Sequence, residues 1–412
     1  MRVVLAWWGV CFAFFYFGWP IQYNRTNVTL TVLLVTACAG VAVLGFNLGR
    51  GVRSASAAIE GGPPRAMVIG LGLSVLLFFP TVQAYSGLGV GDLGAAVQDQ
   101  SAAYQETTEL IEAGSASRKG LLLANTLAAP LTVGVIPYFV LRAFERRAAR
   151  DRILAIVSVL PSIAMSLLTG RTQAMGIVVV VAIASLLVAL ERTGARFSWQ
   201  RWTQIGLLSA GLFALVAWRN QARVGASAGC RPGQVACTES HAGAFDGFIS
   251  VTSYASQGFE GLGRAMEGTW HFGGGFGHSP ALRNFVGTFT GVREDVPTIT
   301  GQLYQQGWDE TGFWSTGWSQ LANDVPWLLL PLVFGALAIL AGAAYSSAVA
   351  TGAWIPLTLF SYLFLAFSFM PQNYQLGANG PTYVGVLVLA FIFVLSGGLT
   401  RKPDGDVKPA LR

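Results

Sequence analysis

About ten apolar windows divide this chain, each of a length that can cross roughly 30 Å of hydrocarbon. They lie near 3–20, 28–46, 66–85, 121–141, 153–169, 174–190, 205–218, 327–345, 354–370 and 382–399. Only 11% of the 412 residues are charged, where a soluble chain carries about 25%. The expectation is an all-α polytopic integral membrane protein, residues 1–412 forming a single membrane domain. The seventh window is short and is expected to extend past Trp218. A net charge of +6 is no nucleic-acid signature when the arginines belong to membrane loops.

Residues 3–20 could imitate a signal peptide. No small-x-small cleavage site follows, and the stretch is unusually aromatic, so a retained first helix is expected. Orientation follows from lysine and arginine in the short loops. With a cytoplasmic N-terminus, 16 of the 26 basic residues fall on the cytoplasmic side. They are Arg2, Arg50, Arg53, Arg65, Arg142, Arg146, Arg147, Arg150, Arg152, Arg192, Arg196, Arg201, Arg401, Lys402, Lys408 and Arg412. The other ten are spread over longer outer segments. Both termini are therefore expected inside.

Two outer loops are long. The first, 86–120, reads as a surface helix of low hydrophobicity. The second, 219–326, separates helices seven and eight and holds four tryptophans and all three histidines. Loops of that length are functional or disordered, and the aromatic content favours function. Cys230 and Cys237, in "CRPGQVAC", are expected to close a small disulfide loop outside the cytoplasm. Cys11 and Cys38 read as small apolar residues within helices. No internal repeat of the kind that builds many transporters is visible.

"LLTGRTQAMG", residues 167–176, breaks helices five and six with a single charge, Arg171. The topology places Arg171 at the outer boundary. Two readings stand: an arginine snorkelling from a helix end, and a clamp for an anion at headgroup depth, which suits a planar fork of donors. "AWRNQARVG" puts Arg219 and Arg223 four residues apart at the same level, where a continued helix would give them one face. They are candidates for the same anion, or an ordinary helix-end pair.

The second outer loop supplies polar and aromatic groups suited to sugars: Tyr254, Gln257, Glu260, Arg264, Glu267, Trp270, His271, His278 and Arg283. Further on stand Asp309, Glu310 and Asp324. "FGGGFGHS" lacks the strand, the lysine and the location of a phosphate loop. The histidine spacing gives no zinc signature, and no Gly-x-Ser-x-Gly elbow occurs.

Five segments occur in a fixed order: "LLTGRTQAMG", "SYASQGFEGLGRAMEG", "FGGGFGHSPAL", "GFWSTGWSQLANDVPWLLLPLVFGAL" and "FMPQNYQLG". In order, spacing and topology they resemble bacterial oligosaccharide repeat unit polymerases, the O-antigen (Wzy-type) polymerase group, over roughly residues 150–390. The first 150 residues match in hydropathy alone. The resemblance implies a GT-C-like membrane glycosyltransferase at the outer face of the bacterial inner membrane. It would transfer a glycan from undecaprenyl diphosphate onto a lipid-linked repeat unit. No nucleotide sugar, metal or other cofactor is needed, and a chain-length regulator is a possible partner. It assigns Arg171 to the donor diphosphate, with Arg219 and Arg223 at the same or the acceptor diphosphate. His278 and Asp324 are the first candidates for the catalytic base, with Glu260 and Glu267 behind them. Substrate contacts are expected from Tyr254, Gln257, Arg264 and Trp270. The family usually has a small polar residue where His278 stands, and Asp324 could equally cap helix eight. Two rival functions share the hydropathy: an O-antigen ligase-like transfer to another acceptor, and a transporter or flippase of lipid-linked sugars. The latter would place charges in mid-helix, and the helix centres hold almost none.

Overall fold

A computed structural model describes residues 1–18, 23–52, 64–87, 89–98, 116–146, 148–169, 173–194, 246–290, 298–308 and 315–397, with isolated positions between 103 and 109. The described residues are helical, without a strand. In chain order the helices are α1 (Arg2–Phe17), α2 (Val28–Arg50), α3 (Arg65–Ser86), α4 (Leu93–Gln98), α5 (Ala116–Thr132), α6 (Val135–Arg146), α7 (Ala149–Leu168) and α8 (Gln173–Thr193). There follow α9 (Asp246–Ala265), α10 (Pro280–Thr290), α11 (Ile299–Gln305), α12 (Gly317–Ala322), α13 (Leu330–Thr351), α14 (Trp354–Phe369) and α15 (Gly380–Leu395).

Six helical stretches among the described residues are long and apolar enough to cross a membrane, counting α5 with α6 and α13 with its preceding turn. Helices α1, α14 and α15 are shorter and equally apolar. Helices thus occupy nine of the ten expected windows, and the seventh lies outside the described residues. The fourth window is not one continuous helix. It turns at Val133 and Gly134, where an added Cβ on Gly134 would meet the Trp354 ring at 2.9 Å.

Helix α14 is the axis. It is apolar all round, the signature of a helix enclosed by others, and every residue from Pro356 to Phe367 is buried. The indole N–H groups of Trp7 and Trp8 donate to Ser368 O at 2.9 Å and Phe367 O at 2.7 Å, fixing α1 along it. Helix α2 lies parallel to α13 at backbone contact, an approach that small residues permit. An added Cβ on Gly49 would sit 2.1 Å from Ile339 O, and one on Gly342 would sit 2.2 Å from Phe46 O.

The two ends of the bundle differ. At one end Arg192 pairs with Glu145 and donates to Val349 O at 2.7 Å. Arg50 lies over the Tyr345 ring there, and α6 brings Arg142 and Arg146. At the opposite end, α9 to α12 and residues 370–379 form a polar cap over the ends of α1, α14 and α15. Apolar side chains of α1 anchor that cap, with Phe12 and Phe15 both packed on Phe259.

Candidate functional site

The cap is built around a glycine turn. Gly273, buried, donates from its backbone to Asn323 O at 2.7 Å, and Gly277 donates to Gly273 O at 3.0 Å. A Cβ on Gly273 would lie 2.7 Å from both Asn323 O and Asp324 Oδ1. Side chains are excluded there because the turn wraps a carboxylate. Asp324 Oδ1 accepts from Gly275 N at 3.0 Å, and Oδ2 accepts from His278 N at 2.8 Å. The neighbouring Asn323 is buried and fully engaged: its amide group donates to Gly277 O and Thr300 Oγ1 and accepts from Thr300 N. Asp324 therefore neither caps α13 nor faces open water. The cap of the short helical turn before α13 is Pro326.

The wrapped carboxylate orients an imidazole. Asp324 Oδ2 is 2.6 Å from His278 Nδ1, and His278 Nε2 is 2.6 Å from the Tyr383 hydroxyl. A carboxylate can only accept, so Nδ1 carries the hydrogen. In the neutral ring Nε2 is then an acceptor, and Tyr383 donates to it. The Tyr374 ring packs edge-on against Tyr383, centroids 6.3 Å apart. The result is a tyrosine–histidine–aspartate chain with a defined hydrogen direction. Burial alone would raise the Asp324 carboxyl, but the hydrogen bonds from the His278 ring and backbone hold it below the ordinary carboxylate value. Burial pushes the Tyr374 hydroxyl well up, so it is a donor at any ordinary pH. Chemically this is a base held in one tautomer by a carboxylate, the arrangement of hydrolytic triads with a phenol in the third place.

The remaining candidates divide. Glu260 is completely buried and already committed. Its Oε1 is 2.9 Å from Arg264 Nε and accepts from Thr26 Oγ1 at 2.8 Å, while Oε2 accepts from Thr26 N. Arg264 also lies over the Trp308 ring. These two residues, expected as base and substrate contact, form a buried ion pair that pins residues 23–27 to α9. Glu267 is exposed and accepts from Asn27 Nδ2 at 3.2 Å. Neither glutamate is bonded to His278. Trp270 donates to Ala322 O at 2.8 Å and fastens the turn to α12. Gln257 is buried beside Ser253, and Tyr254 is half-buried. Arg171, Arg219, Arg223, Asp309, Glu310, Cys230 and Cys237 lie outside the described residues. Among the described residues no three His, Cys, Asp or Glu side chains gather as a metal site.

Sequence reasoning missed Tyr383 and Tyr374. Tyr383 reads as part of the tenth apolar window. The one usable signal is "NGPTYVG", where a capping Asn379 and a following Pro381 place Tyr383 in the first turn of α15, at the cap end. No family model, curated protein or solved structure matches the chain.

Proposed function

We propose that this chain is a glycan polymerase. It moves an undecaprenyl-diphosphate-linked oligosaccharide onto a lipid-linked repeat unit at the outer face of the bacterial inner membrane. The observation that carries the reading is the Asp324–His278–Tyr383 chain, partly buried at the end of an apolar helix bundle opposite its arginine-rich end. The positive-inside rule, by which arginine-rich ends face the cytoplasm, supports an outer location for the acid–base groups.

The chemistry needs little else. The acceptor hydroxyl replaces Tyr383 at His278 Nε2 and gives up its proton there. Its oxygen bonds to the anomeric carbon as the bond from that carbon to the diphosphate oxygen breaks. The lipid diphosphate departs with the electron pair. Asp324 stabilises the imidazolium that forms, and proton transfer of this kind contributes about 10²–10⁴-fold. Arg171, Arg219 and Arg223 are the sequence candidates for neutralising the leaving group.

The test is incubation of the purified protein with lipid-linked repeat units. A ladder of lengthening glycans supports the reading. Movement of the lipid across the bilayer with no new glycosidic bond replaces it with a flippase. Transfer of one finished glycan to a different acceptor replaces it with a ligase.

A further inference from the structure

The segment joining α14 to α15, "MPQNYQLG" (370–377), is polar, buried and incompletely satisfied. Asn373 and Gln375 are 6% and 3% exposed. Asn373 Oδ1, Gln375 Nε2 and the shielded Gln372 Oε1 find no hydrogen-bond partner among the described residues. Buried polar atoms are otherwise nearly always paired, and an orphan calls for a missing partner. Here three fall within four residues. The segment is not loose: Gly317 N donates to Met370 O, Tyr374 N donates to Gln320 Oε1, and Ser279 Oγ donates to Gly377 O. An added Cβ on Gly258 would lie 2.1 Å from Pro371 O, so α9 presses on it as well.

Its place is beside the imidazole. Tyr374 and Gly377 both contact His278. The unpaired groups, screened from solvent, are carboxamide oxygens and a carboxamide N–H, with no charge among them. Such a set matches a ligand that offers hydroxyl or acetamido groups and carries no charge of its own. It does not match a diphosphate, which arginine serves better.

We propose that Gln372, Asn373 and Gln375 form a subsite for a neutral pyranose, the acceptor sugar, holding its hydroxyl or acetamido groups so that one hydroxyl faces His278. The inference rests on the polymerase reading for the word acceptor, while the sugar site itself is separately testable.

The experiment uses the full chain in detergent and saturation-transfer NMR. The probes are the methyl glycosides of glucose, galactose, N-acetylglucosamine and N-acetylgalactosamine, with inorganic diphosphate as competitor. At least one glycoside is expected to give transfer signals that diphosphate does not displace. Gln375→Leu and Asn373→Leu should each weaken that binding at least fivefold, whereas the conservative Gln375→Asn should keep part of it. In the polymerisation assay the leucine variants should raise the acceptor KM about tenfold with a smaller effect on kcat. No binding of any glycoside, or equal binding by folded leucine variants, overturns the subsite. Leucine variants that gain thermal stability and polymerise normally also overturn it and identify a pocket for water. Glycoside binding without any ladder sinks the polymerase reading and leaves the sugar site standing. A wild-type ladder with no effect of the leucine variants does the reverse.

Discussion

Asp324 holds His278 from both sides of one residue: Oδ2 accepts from the backbone N–H at 2.8 Å and meets Nδ1 of the ring at 2.6 Å. The carboxylate thereby fixes the glycine turn and the imidazole together. Asp324→Asn keeps the shape and removes the charge. It presents an amide N–H or a weaker acceptor to the ring and loses the preferred tautomer. Turnover should fall about 10²–10⁴-fold, with acceptor KM little changed. Steady-state kinetics on lipid-linked acceptor checks this; a fall below threefold would remove Asp324 from the chemistry.

Tyr383→Phe deletes one hydroxyl and retains the ring packing with Tyr374 and His278. The expected loss of stability is about 1 kcal/mol, that of a single hydrogen bond. Because the acceptor hydroxyl takes the place of the phenol in the reaction, activity should survive or rise; a tenfold fall in turnover of folded protein would contradict that step. A thermal melt and a rate measured side by side distinguish such a fall from unfolding.

The chain of groups was half legible in the sequence. His278 and Asp324 were each visible as candidates because a histidine after "FGGGFG" and an aspartate before an apolar helix are conspicuous. That they touch was not, since 46 residues separate them, and no periodicity links a turn to a helix start. Tyr383 was hidden by its apolar neighbours. The apolar windows located nearly every long helix, because the cost of unpaired backbone in hydrocarbon leaves few alternatives. They failed at Val133 and Gly134, between Pro130 and Pro137, where the Trp354 ring leaves no room for a Cβ on Gly134. Glu260 looked catalytic because sequence shows a carboxylate and not its partners, Arg264 and Thr26.

Glu260→Ala should therefore act on stability. It leaves Arg264 without its carboxylate in a buried setting, which costs about 3–5 kcal/mol, and frees residues 23–27. Differential scanning fluorimetry should show a marked drop. The pH profile of whatever activity remains should match wild type; an altered profile would return Glu260 to the list of bases.

Gly273→Ala should disable the site without touching a polar side chain. Its Cβ would lie 2.7 Å from Asp324 Oδ1 and Asn323 O, forcing the turn off the carboxylate at a cost of about 1–3 kcal/mol. Activity should fall at least tenfold. Alanine at the neighbouring Gly275 meets no atom within 4 Å but must hold φ at 81°, so a cost of about 1–2 kcal/mol comes from the backbone alone.

Acid should loosen this end of the molecule. The folded-state value of Asp324 lies below its ordinary 3.8. Its contribution to stability is thus fully present above 3.8 and is lost as pH falls through the lower folded value. Tryptophan fluorescence should report an acid transition of the turn carrying Trp270. Asp324→Asn should be less stable at neutral pH and lack that component of the transition. An identical acid profile in the two proteins would contradict the assignment.

The central claim is that His278 takes the proton from an acceptor hydroxyl as a glycosidic bond forms. Reconstituted wild-type protein and His278→Gln, both shown to be folded, should be given lipid-linked repeat units, and new glycosidic bonds and released lipid diphosphate counted together. The account predicts one lipid diphosphate released per bond in wild type and a loss of at least 10²-fold of both in the variant. A His278→Gln protein that builds the same ladder at the wild-type rate would contradict it.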